Sequence, residues 1–410
     1  MLDTGSLSWA VTATALVLLM TPGLAFFYGG LVKAKSVVSM MMMSFGSIAL
    51  VGVLWILYGF SMSAVESPTD FSGNPFASFG LEGLGNDDLI GAAFGATFAI
   101  ITIALISGAI ADRAKFGSWM VFAAIWSALV YFPVAHWVFA FDDFVAKTGG
   151  WIANDLGALD FAGGTAVHIN AGAAGLALAI ILGKRVGWRK EAMRPHSLPL
   201  VMLGAALLWF GWFGFNAGSA VASNGTAGLA LLNTIGATVA ALLAWLLVEK
   251  IRDGHATSLG AASGVVAGLV AITPACAAVN ASGALIIGAL AGILCALSVG
   301  LKFKFGIDDS LDVVAVHLVG GIVGTVMIGF VGVDVGLFNG GGTEQLIKQI
   351  IGAGAVLGYS FIATLIIGYA IDKTIGLRVS KEVEVEGIDL KLHAESAYEM
   401  YSSSRGGSSL

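Results

Sequence analysis

Two related stretches of the chain place a histidine in the same setting, and they decide the fold. The first reads DFAGGTAVHINAGAAG over residues 160–175, and the second reads DSLDVVAVHLVGGIVG over residues 309–324. In each stretch an aspartate precedes the histidine by eight residues, Ala-Val comes directly before it, and an aliphatic and then small residues follow. These shared positions predict an internal repeat with His168 and His317 at equivalent places.

The composition indicates that most of the surface around this repeat faces lipid. Of the 410 residues, 57% are hydrophobic and 11% are charged, and the mean hydropathy is +0.90. A soluble domain carries about 25% charged residues. No basic run indicates binding to nucleic acid. Cys276 and Cys295 lie in apolar stretches, which is typical of small core residues rather than of a disulfide.

Apolar runs long enough to cross a bilayer occur eleven times. A hydrocarbon core of about 30 Å needs about 20 apolar residues in a helix. The predicted spans are residues 8–32, 37–61, 90–111, 117–141, 162–183, 197–218, 226–249, 257–276, 280–301, 309–332 and 347–372. The first run is longer than a signal-peptide core and no basic residue precedes it, which predicts a retained span. The predicted class is an all-α integral membrane protein with eleven transmembrane helices.

The basic residues predict the orientation of these spans. The loops after odd-numbered spans, together with the C-terminal tail, hold eighteen of the twenty lysines and arginines, and the opposite loops hold only Lys147 and Lys348. Basic residues accumulate on the cytoplasmic side of membrane proteins. We therefore expect the N-terminus outside, the tail in the cytoplasm, and the long loop at residues 61–88 outside.

The two histidine stretches fall in the fifth and tenth predicted spans, so the repeat unit is five spans. An odd unit inserts its two copies in opposite orientations, and such repeats place their functional site at the repeat interface near the bilayer midplane. We expect a transmembrane domain at residues 1–375, with repeat halves near 1–185 and 196–332 and an extra helix at 347–372. Residues 376–410 form a polar cytoplasmic tail whose last part, from residue 402, is predicted to be disordered.

A histidine inside a membrane span is costly and points to function. Two neutral imidazoles bonded to each other offer one N–H donor and one lone-pair acceptor to a small solute. This suits a polar neutral solute better than a bare cation, because a neutral imidazole carries no compensating charge. The alternative for His168 and His317 is a structural role, in which each bonds between helices.

Several long motifs resemble the ammonium transporter (Amt/MEP/Rh) family, and they cover the chain from the first span to the tail. They are TPGLAFFYGGLV at 21–32, GAIADRAKF at 108–116, DFAGGTAVHINAG at 160–172, GWFGFNAGSA at 211–220, ITPACA at 272–277 and DDSLDVVAVHLVGG at 308–321. The resemblance implies a homotrimer in the cell membrane, with one narrow pore in each protomer. It also implies transport of ammonium or ammonia without enzymatic activity, cofactor or metal.

The resemblance also implies roles for individual residues. Ser219 and aromatic rings recruit ammonium outside, Phe98 and Phe215 form a gate, and His168, His317 and Thr273 line the pore. Asp160, Asp309 and Asp312 give structural support. Ring faces attract a cation by about 0.5–2 kcal/mol each, and a hydroxyl oxygen replaces part of the lost hydration.

One segment departs from the family pattern, which has a tryptophan in the recruitment site shortly after a Pro-x-Ala-His motif. Here FPVAHWVF at residues 132–139 is followed by an insertion at 140–150. By local spacing Phe139 occupies the tryptophan position, with Trp137 and Trp151 as alternatives. A phenylalanine gives a weaker cation–π face than an indole.

The tail sequence GIDLKLHAESAY at residues 387–398 resembles the family's cytoplasmic tail. That resemblance implies coupling between protomers and contact with a PII-class regulator. The alternative is a solvated amphipathic end.

Three rival functions remain at this stage. A Rh-like channel for a neutral gas needs no cation cage, so Ser219 and the phenylalanine gate argue against it. An ammonium sensor would signal through a partner, because no output domain follows the last span. A membrane metalloenzyme would need three or four ligands, and no cysteine or carboxylate set lies near the histidines. Whether net charge crosses with the substrate is left open.

Overall fold

The computed structural model describes residues 3–65, 69, 71–142 and 147–398. Within these ranges the chain is helical and contains no β-strand, and an isolated bridge joins Ala114 and Arg378. The predicted disorder from residue 402 lies outside the described residues, as does part of the insertion at 140–150. The all-α class predicted from the sequence is confirmed.

Ten helices in the described part of the chain are long and apolar enough to cross a membrane, and an eleventh is shorter. The helices are α1 (Thr4–Leu31), α2 (Val37–Ala64), α3 (Asn86–Ile110), α4 (Phe116–Phe139), α5 (Gly164–Leu182), α6 (Leu198–Gly218), α7 (Gly225–Asp253), α8 (Ser258–Ile272), α9 (Ala281–Phe305), α10 (Val314–Val331) and α11 (Glu344–Thr374). They follow the predicted runs, although several ends differ by a few residues. The largest shift is at α10, which begins at Val314 where the sequence predicted residue 309.

The short helix is α8, which the sequence predicted as a full span at residues 257–276. Its 15 residues cover about 22 Å, less than a bilayer core. The chain leaves the helix at Thr273, directly before Pro274, and continues as buried turns. Asn233 Nδ2 donates to the carbonyls of Cys276 and Val279, at 2.8 Å each. Irregular backbone at this depth is tolerated because the protein satisfies its polar groups.

Five of the eleven helices begin with a polar residue that caps the first turn. The residues before α1, α6, α7, α8 and α9 each accept a backbone N–H from the first turn; they are Asp3, Ser197, Asn224, Thr257 and Asn280. Helix α2 has no such local cap.

Glycines allow the helices that carry the site to approach closely. On α6, a Cβ at Gly204 would lie 2.2 Å from Phe27 N on α1. On α5, a Cβ at Gly172 would lie 2.5 Å from Leu318 N on α10. Contacts between small residues and backbone hold membrane helices together where lipid removes the hydrophobic driving force. As a result the two histidine helices meet at the centre of the protein.

A buried ionic network joins the loops that the sequence places in the cytoplasm, and sequence reasoning missed it. Arg185 contacts Asp112 Oδ2 at 3.0 Å and Asp308 Oδ1 at 2.9 Å. Arg113 is fully buried and donates to the Asp308 carbonyl at 2.6 Å. Burial disfavours the charged form of Asp308, but hydrogen bonds and charge from Arg185 outweigh this and lower its pKa. The network ties the ends of α3 and α5 to the segment before α10.

The tail docks onto the same face. Glu384, in a helix at Lys381–Glu386, accepts from Val186 N at 2.5 Å and from Arg378 at 2.7 Å. Asp389 accepts from Val38 N and Ser39 N at 3.0 and 2.8 Å, so the tail supplies the cap that α2 lacks. The tail through residue 398 is therefore packed against the membrane domain.

Candidate functional site

The two repeat histidines lie side by side in the centre of the helix bundle. His168 Nδ1 is 3.3 Å from His317 Nδ1, and the ring centroids are 5.4 Å apart with the planes tilted by 21°. Both side chains are buried, with 1% and 3% of the residue surface exposed. The contact that the repeat predicted is present.

Each histidine sits in a π-helical turn at the start of its helix, and an aspartate caps each turn. Asp160 Oδ1 accepts from Gly163 N and Gly164 N at 2.8 and 2.6 Å. Its Oδ2 accepts from Thr165 N and Ala166 N at 2.8 and 3.2 Å, and also from the Thr165 hydroxyl. These bonds hold the turn Gly164–Ile169, which carries His168. π-Helical turns are frequent at functional sites.

Asp309 repeats this arrangement with fewer bonds. Its two carboxylate oxygens accept from Val313 N at 3.1 Å and from Val314 N at 2.8 Å, at the start of the turn Val314–Leu318 that carries His317. Burial and the nearby charge of Asp312 raise the pKa of Asp309 above its ordinary value. Asp312 has a different role from the capping residues Asp160 and Asp309: it forms an ion pair with Lys302 at 2.7 Å.

Two stacked phenylalanines close the approach to His168 from one side. The Phe98 and Phe215 rings are 4.1 Å apart with an interplanar angle of 12°, and the Phe215 centroid is 6.2 Å from that of His168. Both phenylalanines are buried. The structure thus places side by side the two phenylalanines to which the family resemblance gave a gate role, and Phe215 lies next to His168.

Beyond this pair lies a partly exposed group of one serine and two further rings. Ser219 directly follows α6 and donates its hydroxyl to the Phe215 carbonyl at 2.8 Å, so its oxygen lone pairs remain available as acceptors. The Phe139 ring meets Phe98 edge-on at 6.3 Å. Phe94, which sequence reasoning missed, lies 4.8 Å from Phe98. The sequence could have indicated Phe94, because it lies one helical turn before Phe98 on the same face of α3.

The other two proposed recruitment aromatics lie in a separate aromatic cluster. Trp137 packs against Trp151 at 5.9 Å and against Tyr359 at 4.9 Å. Its indole N–H donates to the Phe71 carbonyl at 2.8 Å. Of the three alternatives that the sequence left open, Phe139 is therefore the one that contacts the gate pair.

Thr273 is linked to His168 through Trp212, a residue that the sequence analysis did not identify. Trp212 stacks on His168 with centroids 5.4 Å apart and planes 19° apart. Its indole N–H donates to Thr273 Oγ1 at 2.8 Å, and Thr273 donates to the Leu269 carbonyl at 2.7 Å. Trp212 lies three residues before Phe215 in the same motif, which puts both rings on one face of α6.

Two adjoining cavities lie beside the histidines, on the far side of Phe215 from Phe98. The first is a narrow space of about 10 Å³, close to the smallest cavity that holds one water molecule. Its walls are mostly apolar residues together with His168 and His317. The second is a wide cavity of about 520 Å³ that also reaches His317. Its wall includes Tyr28, Arg185, Trp188, Arg252, Lys302 and Asp312. The basic residues in this wall come from the loops predicted to be cytoplasmic.

This arrangement can pass a small neutral molecule that forms hydrogen bonds. When two neutral imidazoles face each other through Nδ1, one donates and the other accepts, so their Nε2 atoms have opposite roles. His168 Nε2 is buried and makes no hydrogen bond within the described part of the chain. The pair therefore presents one donor and one acceptor to a solute in an otherwise apolar conduit. Among the described residues no group of three or more potential metal ligands occurs.

Comparison with known proteins agrees with this geometry. Residues 8–398 match the family described as the Ammonium Transporter Family. The chain is 56% identical to an ammonium transporter of Mycobacterium tuberculosis, over 97% of this chain and 91% of the relative. It is 48% identical to an ammonium transporter of Aquifex aeolicus, over 97% and 94% of the two chains.

Solved structures show the same fold. A protein described as a sensor Amt protein superposes with a TM-score of 0.89 at 28% identity, over 94% of this chain and 98% of that chain. Mep2 of Saccharomyces cerevisiae superposes with a TM-score of 0.83 at 32% identity, over 93% and 91%.

Proposed function

Since the chain belongs to the ammonium transporter family, we propose that it recruits ammonium at Ser219, releases a proton near the Phe98–Phe215 gate, and conducts ammonia past His168 and His317. The observation that carries this proposal is the continuous line of groups from Ser219 through the stacked phenylalanines to the paired imidazoles. The protein lies in the cell membrane with eleven spans, its N-terminus outside and its tail in the cytoplasm.

Recruitment depends on the group outside the gate. Ammonium that leaves water needs acceptors for its four N–H bonds, and the Ser219 oxygen provides one of them. The rings of Phe98, Phe139 and Phe94 add cation–π attraction of about 0.5–2 kcal/mol each. Potassium cannot donate hydrogen bonds, so a directional acceptor such as Ser219 favours ammonium.

Proton loss is favoured at the gate because the charged form cannot easily go further. Burying a bare cation in an apolar conduit costs far more than burying neutral ammonia. Below the gate, ammonia accepts from one imidazole Nε2 and donates to the other, and it regains a proton in the wide cavity. The proton released at the gate either returns to the external water, which makes transport electroneutral, or crosses separately along the histidine pair, which makes transport electrogenic.

The assembly and the tail complete the proposal. The protein works as a homotrimer with one conduit in each protomer, and the tail meets a PII-class regulator. Support for a regulatory tail is its docking at two points: Glu384 accepts from Val186 N, next to Arg185 in the wall of the wide cavity, and Asp389 caps the start of α2. A sensor role, suggested by the description of one structural neighbour, is less favoured, since the relatives at 48–56% identity are named transporters.

The test is an ammonium pulse applied to liposomes that contain the purified protein, on a solid-supported membrane. An ammonium-specific current, absent with potassium, would mean that net charge crosses. Internal alkalinisation of a trapped pH dye without current would mean conduction of ammonia alone. Binding of ammonium with neither signal would exclude transport and favour the sensor function.

Replacing Phe139 with tryptophan tests the recruitment site. Because an indole face attracts a cation more strongly than a phenyl face, Phe139→Trp should lower the half-saturating ammonium concentration about 2- to 5-fold. The same assay over a range of ammonium concentrations measures this. The control is Trp137→Phe, which changes an aromatic ring in the separate cluster and should leave the half-saturating concentration unchanged. An equal response of both variants would remove Phe139 from the recruitment site.

A further inference from the structure

Helix α11 lies outside the predicted repeat, yet one of its side chains contacts both halves. Gln349 is fully buried. Its Nε2 donates to the Leu159 carbonyl at 2.7 Å and to the Thr325 carbonyl on α10 at 3.0 Å. A single amide therefore joins the segment before α5 to α10.

The orientation of this amide is fixed by its partners. Gln349 Oε1 accepts from Leu159 N at 2.7 Å and from Gln345 Nε2 at 2.9 Å. Two donors and two acceptor positions are the full capacity of a glutamine amide, and all four are used. Gln345 also donates to the Gly157 carbonyl at 3.2 Å. A fully satisfied buried network of this kind makes the local structure rigid.

The two backbone positions that Gln349 holds are close in the chain to the histidines. Leu159 directly precedes Asp160, whose carboxylate caps the turn with His168. Thr325 lies about two turns after His317 on α10. On the other side of His168, Ser360 of α11 donates to the Asn170 carbonyl at 2.8 Å. Helix α11 thus contacts the chain on both sides of His168, at Leu159 in the segment before α5 and at Asn170 on α5.

We propose that Gln349 is a positioning residue that sets the distance between His168 and His317. The Nδ1 atoms are 3.3 Å apart, at the long end of the range for a hydrogen bond, so a small further separation breaks it. Only the expected effect of this distance on the transport rate rests on the proposed function. An error of about 1 Å in the placement of a reacting group can lower a rate about 100-fold.

The test is Gln349→Met, which keeps the volume and removes the four hydrogen bonds. In protein labelled with ¹⁵N-histidine in lipid, solid-state NMR measures the ¹⁵N–¹⁵N coupling across the Nδ1–H···Nδ1 bond. The coupling should disappear, and the maximal rate of ammonium transport should fall about tenfold. The half-saturating ammonium concentration should not change, because Ser219 and Phe98 are not held by this amide.

The matched control is Thr364→Val, also on α11. Thr364 Oγ1 accepts from Trp126 Nε1 at 2.8 Å, a buried bond to α4 instead of to a histidine helix. This variant should keep both the coupling and the rate. If Gln349→Met does not fold, Gln349→Glu serves instead, because it keeps an acceptor for the Leu159 N–H.

The NMR and transport readouts separate the two ideas. An unchanged coupling in the Gln349 variant would overturn the positioning role, and so would an equal loss of coupling in Thr364→Val. Loss of coupling together with unchanged transport would support the positioning role and overturn the proposed function of the histidine pair.

Discussion

Replacing either His168 or His317 with alanine is expected to lower ammonium transport at least tenfold. Each substitution removes one hydrogen-bonding partner of ammonia in an apolar conduit and leaves the other imidazole buried without its Nδ1 partner. A lost buried hydrogen bond costs about 1–3 kcal/mol, and about 1.4 kcal/mol corresponds to a factor of ten. The initial rate in liposomes, followed both as current and as internal alkalinisation, measures the effect.

The control for this experiment is His255→Ala. His255 is exposed in the loop between α7 and α8, so its loss removes an imidazole without touching the conduit. It should transport ammonium at the rate of the unmodified protein. Rates near that level in both conduit variants would mean that the histidine pair has only a structural role.

Asp160→Asn is expected to destabilise the protein strongly. The carboxylate accepts four backbone N–H groups and one hydroxyl. An asparagine keeps one carbonyl oxygen but turns an NH₂ group toward the donors on the other side. Hydrogen bonds to a charged group contribute about 1.5–3 kcal/mol each. We therefore expect a loss of about 3 kcal/mol or more, seen as a lower thermal midpoint in detergent micelles.

Asp309→Asn is the internal comparison, because Asp309 caps the equivalent turn with two backbone bonds only. Its loss should be clearly smaller than that of Asp160→Asn. Equal midpoints for the two variants would show that the number of capping bonds does not determine the stability of these turns.

Much of the fold could be read from local features of the sequence. Hydropathy marks the helices because each span must be apolar over a fixed length. The spacing of aspartate and histidine marks the repeat because the capping geometry is local: Asp160 bonds residues only three to six positions ahead. The pairing of Phe98 with Phe215 was expected from the family resemblance, and the structure brings these rings together.

Other features could not be read in this way. Pro274 marks the early end of the eighth span in the sequence, but only the structure shows that the chain then stays buried in turns, where Asn233 on α7 donates to the carbonyls of Cys276 and Val279. That the ring of Phe139 contacts Phe98, while Trp137 and Trp151 pack in a separate cluster, depends on how α4 packs against α3. Spacing alone left these three residues as alternatives.

The sequence by itself determined the membrane class through its composition, and it marked His168 and His317 as equivalent positions through their short-range spacing. The family followed from the resemblance of its long motifs. Only the tertiary structure decided that Trp212 stacks on His168, that the tail residue Asp389 caps α2, and that Gln349 joins the segment before α5 to α10. The physical reason is that these contacts join segments far apart in the chain. Their partners are chosen by packing and by the need to satisfy every buried polar group, and neither leaves a local pattern.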